Sequence, residues 1–343
     1  MSYYKRLKKK TKEYFKILEP EFPLWLEEYI ETKELLHQNR ISVTCGTLYC
    51  DMFDSSYFYS SLDHSVGVAL IVWHFTHDKK QTLAGLFHDI ATPVFKHCVD
   101  FMNGDHETQE STEEQTSNII AKSKELSLLL DRDGIAIDEV DDYTKYPIAD
   151  NNTPRLSADR LEYSLSNSIF NCSMLSLDEI KEIYDNICIQ INEDGISELG
   201  FSSKTIAKKF LKVVCRLSVY YREHKNRYSM QFVADVLKNL SQEGPVSVQD
   251  LYEKSEKQIM NIIKKSRLGK IFKTWQKART VRLSSVKPQG FYSVKCKTKV
   301  RYIDPLVDGV RLSQICKKSK AMIDKTLKFD MSKYIYIKSI KEF

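Results

Sequence analysis

Four side chains in three separated stretches have the types to close on one divalent cation: His64, the adjacent pair His88-Asp89, and Asp159. Two imidazoles and two carboxylates on an ion that accepts six ligands leave positions for water and substrate. An ion so held acidifies water and polarises a P–O bond, which is what phosphate-ester hydrolysis requires. Mixed His/carboxylate ligation suits Mn, Fe, Mg or Zn, and residue types alone do not choose among them. A candidate proton donor stands nearby. His97 and Asp100 are three apart on an expected helix, so the carboxylate can orient the imidazole and stabilise its protonated form.

A His-Asp dipeptide means little by itself, and the chain carries its own control. His77-Asp78 lies in the polar stretch His-Asp-Lys-Lys-Gln and reads as a surface connector. His88-Asp89 instead ends an apolar run in which Leu83, Leu86, Phe87 and Ile90 fall at i, i+3, i+4 and i+7, the stripe of a buried helix. Burial matters because ligands need fixed rotamers.

The elements that must position these groups are mostly helical. Helical spacing runs from His64 to Phe75 through Val66, Ala69, Leu70 and Trp73, then from Thr82 to Asp89, then from Val94 to Met102. Ser111 with Glu114 three residues later is a capping-box signature for a helix towards Leu130. Ser157 is an expected N-cap for the helix bearing Leu161, Leu165 and Ile169, and a long helical region, straight or kinked, runs from Ser203 to about Leu240, before Gly244-Pro245. Ser247 and Asp250 open a further helix. From Val294 to Tyr302 apolar residues and Thr298 alternate with Lys295, Lys297, Lys299 and Arg301, the period of a strand. With a helix from about Ser313 and a strand at Tyr334 to Ile337, this implies a small β-α-β region. The expected fold is mainly α, a helical core over residues 1–245 with a smaller α/β region over 246–343.

Charge divides the same way. The net charge is +6, yet residues 251–343 carry 24 Lys+Arg against 7 Asp+Glu, a balance of +17, and the rest is acidic. Such asymmetry implies an anionic partner for the C-terminal region: nucleic acid, a nucleotide, or the acidic part of a second copy. The row Lys295, Lys297, Lys299 and Arg301 could follow a phosphate backbone or could simply blunt a sheet edge. Eight scattered cysteines without a Cys-x-x-Cys pair, no signal-like N-terminus and no apolar run of 18 residues make the cytoplasm the expected compartment, without a membrane partner.

The flanks of the four ligands carry a resemblance. Asp63-His64-Ser65-Val66-Gly67-Val68-Ala69, Leu83-Ala84-Gly85-Leu86-Phe87-His88-Asp89-Ile90 and Ser157-Ala158-Asp159-Arg160-Leu161-Glu162-Tyr163 together resemble the HD superfamily of metal-dependent phosphohydrolases, nearest its deoxynucleoside triphosphate triphosphohydrolase branch. The likeness covers about residues 50 to 170. It implies an HD-domain helical core, a divalent metal on His64, His88, Asp89 and Asp159, a nucleotide substrate and a homo-oligomer. The run after His88-Asp89 keeps His97 and Asp100 of the family's motif but has Thr92 where the family has another His. Ser61 stands where the family usually has an Arg, a phosphate contact that Arg160 or Arg155 could replace. His106-Glu107 resembles the family's later His-Glu, which makes His106 a further catalytic candidate, and Tyr163, one turn after Asp159, a substrate contact. The implied reaction cleaves a deoxynucleoside triphosphate to nucleoside and triphosphate. Alternatives are another phosphoester (a nucleoside monophosphate, a cyclic nucleotide, an alarmone, single-stranded nucleic acid) or a nucleic-acid-binding protein with vestigial turnover.

Overall fold

Helix formation starts from local signals that the chain supplies repeatedly. Ser60, Ser176, Ser247 and Ser255 each accept a bond from the backbone three residues on, reciprocated by Asp63, Glu179, Asp250 and Gln258, which satisfies helix-end N–H groups that would otherwise be orphaned. The computed structural model describes residues 2–53, 57–109 and 115–342. It is mainly α, as the periodicity predicts, with two small sheets.

The central helix is Ser61–Thr76. Every residue from Ser61 to Val72 is buried, more than the single apolar stripe requires, because neighbours pack on all its sides. The Lys79–Phe87 helix packs against it, capped by Asp78, whose carboxylate accepts from the backbone N–H groups of Lys80 and Gln81. His77 is exposed in the turn before it, so the control dipeptide is the connector that its sequence implies. Ala158–Ser166 also packs on the central helix and is capped by Ser157 as expected. It runs on as one π-helical turn, Asn167–Asn171. The long region is two helices, Lys204–Arg222 and His224–Glu243, broken at Glu223.

Four expectations need correction. The helix expected from Val94 starts only at His97, because Phe95 and Lys96 take positive φ values of 64° and 43°. The expected strand from Val294 to Tyr302 shrinks to Ser293–Val294, which pairs with Tyr334–Tyr336; residues 295–305 form no ladder. Lys295 and Lys297 are exposed, but Lys299 and Arg301 turn towards a cavity, so the four cations make no single stripe. The helix towards Leu130 is two, Thr116–Lys122 and Lys124–Asp133, split at Ser123; Ser111 and Glu114 lie outside the described residues.

An antiparallel hairpin, Ile187–Ile191 with Ser197–Phe201, was not expected, and Leu306–Val307 adds to it in parallel. Apolar packing crosses residue 245. One cluster joins the N-terminal helices to Ile303, Val307, Leu312 and Ile323. The other joins Ile41, Val94, Phe95 and the His224–Glu243 helix to Trp275, Val294 and Ile335. The basic region therefore shares both apolar clusters with the helical region. Among the described residues no helix is long and apolar enough to cross a membrane.

Candidate metal centre and its cavity

Three helix ends meet at one point. The capping box at Ser60 sets His64 in the first turn of the central helix, where Asp63 is further held by the Tyr3 hydroxyl at 2.6 Å. His88 and Asp89 follow the end of the Lys79–Phe87 helix, and Asp159 sits in the first turn after Ser157.

The imidazoles are fixed from behind. His64 Nδ1 meets the buried Glu162 carboxylate, and His88 Nδ1 meets the Gly85 carbonyl at 2.8 Å. Both acceptors hold a proton on Nδ1, so both Nε2 atoms are turned forward, 3.2 Å apart. Asp159 Oδ1 lies 3.2 Å from His64 Nε2 and 3.9 Å from His88 Nε2. Asp89 approaches His88 Nε2 at 3.8 Å and His64 Nε2 at 4.0 Å. Ligands about 2.1 Å from a shared ion stand roughly 3.0 Å apart at right angles and about 4.2 Å apart when opposed. The separations from the imidazoles fall in that interval, those of Asp89 through Oδ1 to His88 and Oδ2 to His64. His64, His88 and Asp89 form a group whose ligand atoms all lie within 4.8 Å of one another and could hold a metal ion.

Charge points the same way. Burial alone would depress His64, but Glu162 and Asp159 outweigh it and lift its pKa to about 10. Burial would raise both aspartates; Lys96 and the two imidazoles instead hold Asp89 well below the usual range, and His64 brings Asp159 to about 2. The site asks for positive charge.

Glu162 is the residue that sequence reasoning missed. It is wholly buried and accepts from Tyr59 at 2.7 Å and Ser166 at 3.2 Å as well as meeting His64. Gly67 makes room for it: a Cβ there would stand 2.7 Å from Glu162 Cγ and 2.8 Å from its Oε1. Lys96 was also missed. Its ammonium pairs with Asp89 Oδ2, which Ser61 contacts at 3.2 Å, while Thr92 donates to Asp89 Oδ1 at 3.0 Å. Thr92 and Ser61, the two departures from the family pattern, thus both serve Asp89.

Buried Glu256 steadies the left-handed Phe95-Lys96 pair. It accepts from Phe95 N–H, from Ser42 N–H at 3.1 Å and from the Tyr49 hydroxyl at 2.7 Å. Burial raises its carboxyl to about 7 despite those bonds. The folded chain then keeps a proton that the unfolded chain releases near 4.5, so stability should fall as pH rises from there towards 7, by about 3 kcal/mol. Glu256→Gln should remove that part of the slope. Urea titrations of parent and variant at pH 5 and 8 check this; equal differences at both pH values count against it.

A cavity of about 670 Å³ opens over the centre, lined by His64, His88, Asp89 and Asp159 and also by Lys96, His97, Arg160, Tyr163 and Arg301. His97 Nδ1 meets Asp100 at 2.9 Å, as its spacing implies. Burial pushes His97 below its ordinary range, Arg301 adds to the effect and Asp100 opposes it. That direction favours the neutral imidazole. Tyr163 keeps its proton, burial raising it to about 12. Arg160 is spent on Asp150 at 3.2 Å and Asn151 at 2.7 Å. His106 is not brought to the cavity lining; its ring packs on Phe101 and its Nε2 meets Gln231 Oε1 at 2.7 Å. Two buried polar atoms of cavity-lining residues, Tyr221 Oη and Asn171 Oδ1, find no partner within the described residues.

No family model matches the chain. The uncharacterized protein YdhJ of Bacillus subtilis is 23% identical over 294 residues, 82% of this chain and 85% of that one. A hypothetical protein from Aquifex aeolicus has the same fold with a TM-score of 0.62 at 14% identity, over 92% of this chain and 93% of its own. A phosphohydrolase from Bacteroides thetaiotaomicron gives 0.58 at 14% identity, over 92% and 96%. At such identities the likeness is one of fold, and it runs nearly end to end.

Proposed function

We propose that this chain is a metal-dependent phosphohydrolase of the HD type that acts on nucleotides, with a deoxynucleoside triphosphate as the leading substrate. The observation that carries the reading is the pair of forward-facing Nε2 atoms, tied back through Glu162 and Gly85 and flanked by Asp89 and Asp159 at ligand spacing. The near end-to-end fold likeness to a phosphohydrolase supports it.

His64, His88, Asp89 and Asp159 would hold one divalent ion, which when bound supplies the Lewis acidity for attack on phosphorus. Lys96, fixed on Asp89, puts a further positive charge beside the ligand set, where phosphoryl oxygens gain charge. His97 starts neutral, and an arriving phosphate raises its proton affinity. It is then able to carry a proton to the leaving oxygen, with Asp100 holding its orientation. The size of the cavity suits a nucleotide.

The test is a panel of nucleotides with added Mn, scored by product. Release of nucleoside and inorganic triphosphate supports the triphosphohydrolase reading. Turnover confined to a monophosphate or cyclic substrate would keep the hydrolase and change the substrate. The double variant His88→Ala/Asp89→Ala should be inactive on every member; turnover equal to the parent's would refute the site.

A further inference from the structure

Among the described residues four Lys and Arg side chains line the cavity: Lys96, Arg160, Lys299 and Arg301. Lys96 is committed to Asp89 and Arg160 to Asp150. Arg301 makes no ion pair with a carboxylate among the described residues. Its partners among them are neutral, Gln109 Oε1 at 2.8 Å and His97 Nε2 at 3.4 Å. A guanidinium that is partly buried and not matched by a carboxylate leaves positive potential in the cavity. That is a demand for an anion, placed beside the candidate proton carrier.

The element that bears Arg301 is built to hold it still. Residues 295–305 pair with no strand, yet they are tied at intervals. The buried Arg227 donates to the Cys296 carbonyl at 2.7 Å. Gln109 donates to Thr298 Oγ1 at 2.9 Å while accepting from Arg301, so one amide grips the segment twice. Lys299 N–H donates to the His106 carbonyl at 3.1 Å, and Asp304 N–H to the Pro154 carbonyl at 2.9 Å. Such a strap, fixed at both ends, loses little freedom when a ligand arrives.

We propose that the 295–305 segment is a substrate strap through which the basic C-terminal region delivers Arg301 to the phosphate chain of the substrate, a pair of N–H donors for oxygens away from the attacked phosphorus. This rests on the phosphohydrolase reading for its substrate, but the anion site itself does not. Geometry favours it: a phosphate oxygen reached by Arg301 displaces only the long contact with His97 Nε2 and leaves the grip of Gln109 in place. Releasing His97 Nε2 also frees that nitrogen to take up a proton. The segment thus gives the charge asymmetry of the chain a use inside the molecule, with an oligophosphate as the anionic partner.

The experiment measures inorganic triphosphate binding to the full chain by calorimetry, with and without Mn, alongside nucleotide turnover. Arg301→Ala and Arg301→Gln should weaken triphosphate binding by about 10- to 100-fold. In turnover they should raise KM more than they lower kcat, and Arg301→Lys should recover part of the loss. Two variants of different bulk guard against a fold that fails in one, and melting temperatures near the parent's are expected. Triphosphate binding that depends on Arg301 in a chain that turns over no nucleotide would sink the enzymatic reading and leave the anion site standing. Nucleotide turnover with triphosphate binding unchanged by either neutral substitution, or a parent that binds no triphosphate, would overturn the strap.

Discussion

Asp159→Ala is expected to lose divalent-cation binding and turnover together while the chain stays folded. Asp159 Oδ1 reaches both imidazoles, and its backbone N–H is held independently by the Ala149 carbonyl at 3.2 Å. The Ser157 cap and the burial of Leu161 and Leu165 do not depend on its side chain. Loss of a charge near the helix N-terminus costs only about 0.3–1 kcal/mol. The fall in Mn affinity should exceed the 10- to 100-fold that follows loss of an outer hydrogen-bond partner. Calorimetric titration with Mn reads it directly, and a variant that binds Mn as the parent does would remove Asp159 from the ligand set.

Glu162→Gln should produce the second-largest change, from a residue that touches no substrate. The carboxamide keeps the volume beneath His64 and can still accept from Nδ1–H, but it withdraws the negative charge that strengthens the imidazole as a ligand. Mn affinity should fall by about 10- to 100-fold, which removes roughly 1.4–2.7 kcal/mol of ion-induced stabilisation under matched conditions. The rise in melting temperature on adding Mn should shrink accordingly. Titration curves that superimpose on the parent's would show that Glu162 is a packing residue and no more.

The ligand set was legible because its signals are local. Residue types at the helix ends, together with flanks that resemble the HD superfamily, point to His64, His88, Asp89 and Asp159 as candidates, and a capping serine and an apolar stripe place them. Glu162 carried a readable signal, three residues after Asp159 and thus on the same face of a helix that buries Leu161 and Leu165. Lys96 carried none, since nothing local announces two successive left-handed residues; Glu256, far along the chain, holds them. Arg301 was misplaced for a different reason. Extended chain alternates its side chains whether or not a neighbour pairs with it, so period two fitted a strand that has no ladder. The hairpin at Ile187 to Phe201 was the converse case. Ile187, Ile189 and Ile191 alternate before a turn containing Asp194-Gly195, which is a strand signal in its own right.

The tight fit between Gly67 and Glu162 has an evolutionary corollary. A methyl group at 67 would overlap the longer acid, so Gly67→Ala should survive selection for metal-dependent activity only alongside a shortened side chain at 162, such as Glu162→Asp. The two positions lie on different helices, 95 residues apart in the chain, yet would behave as a single heritable unit.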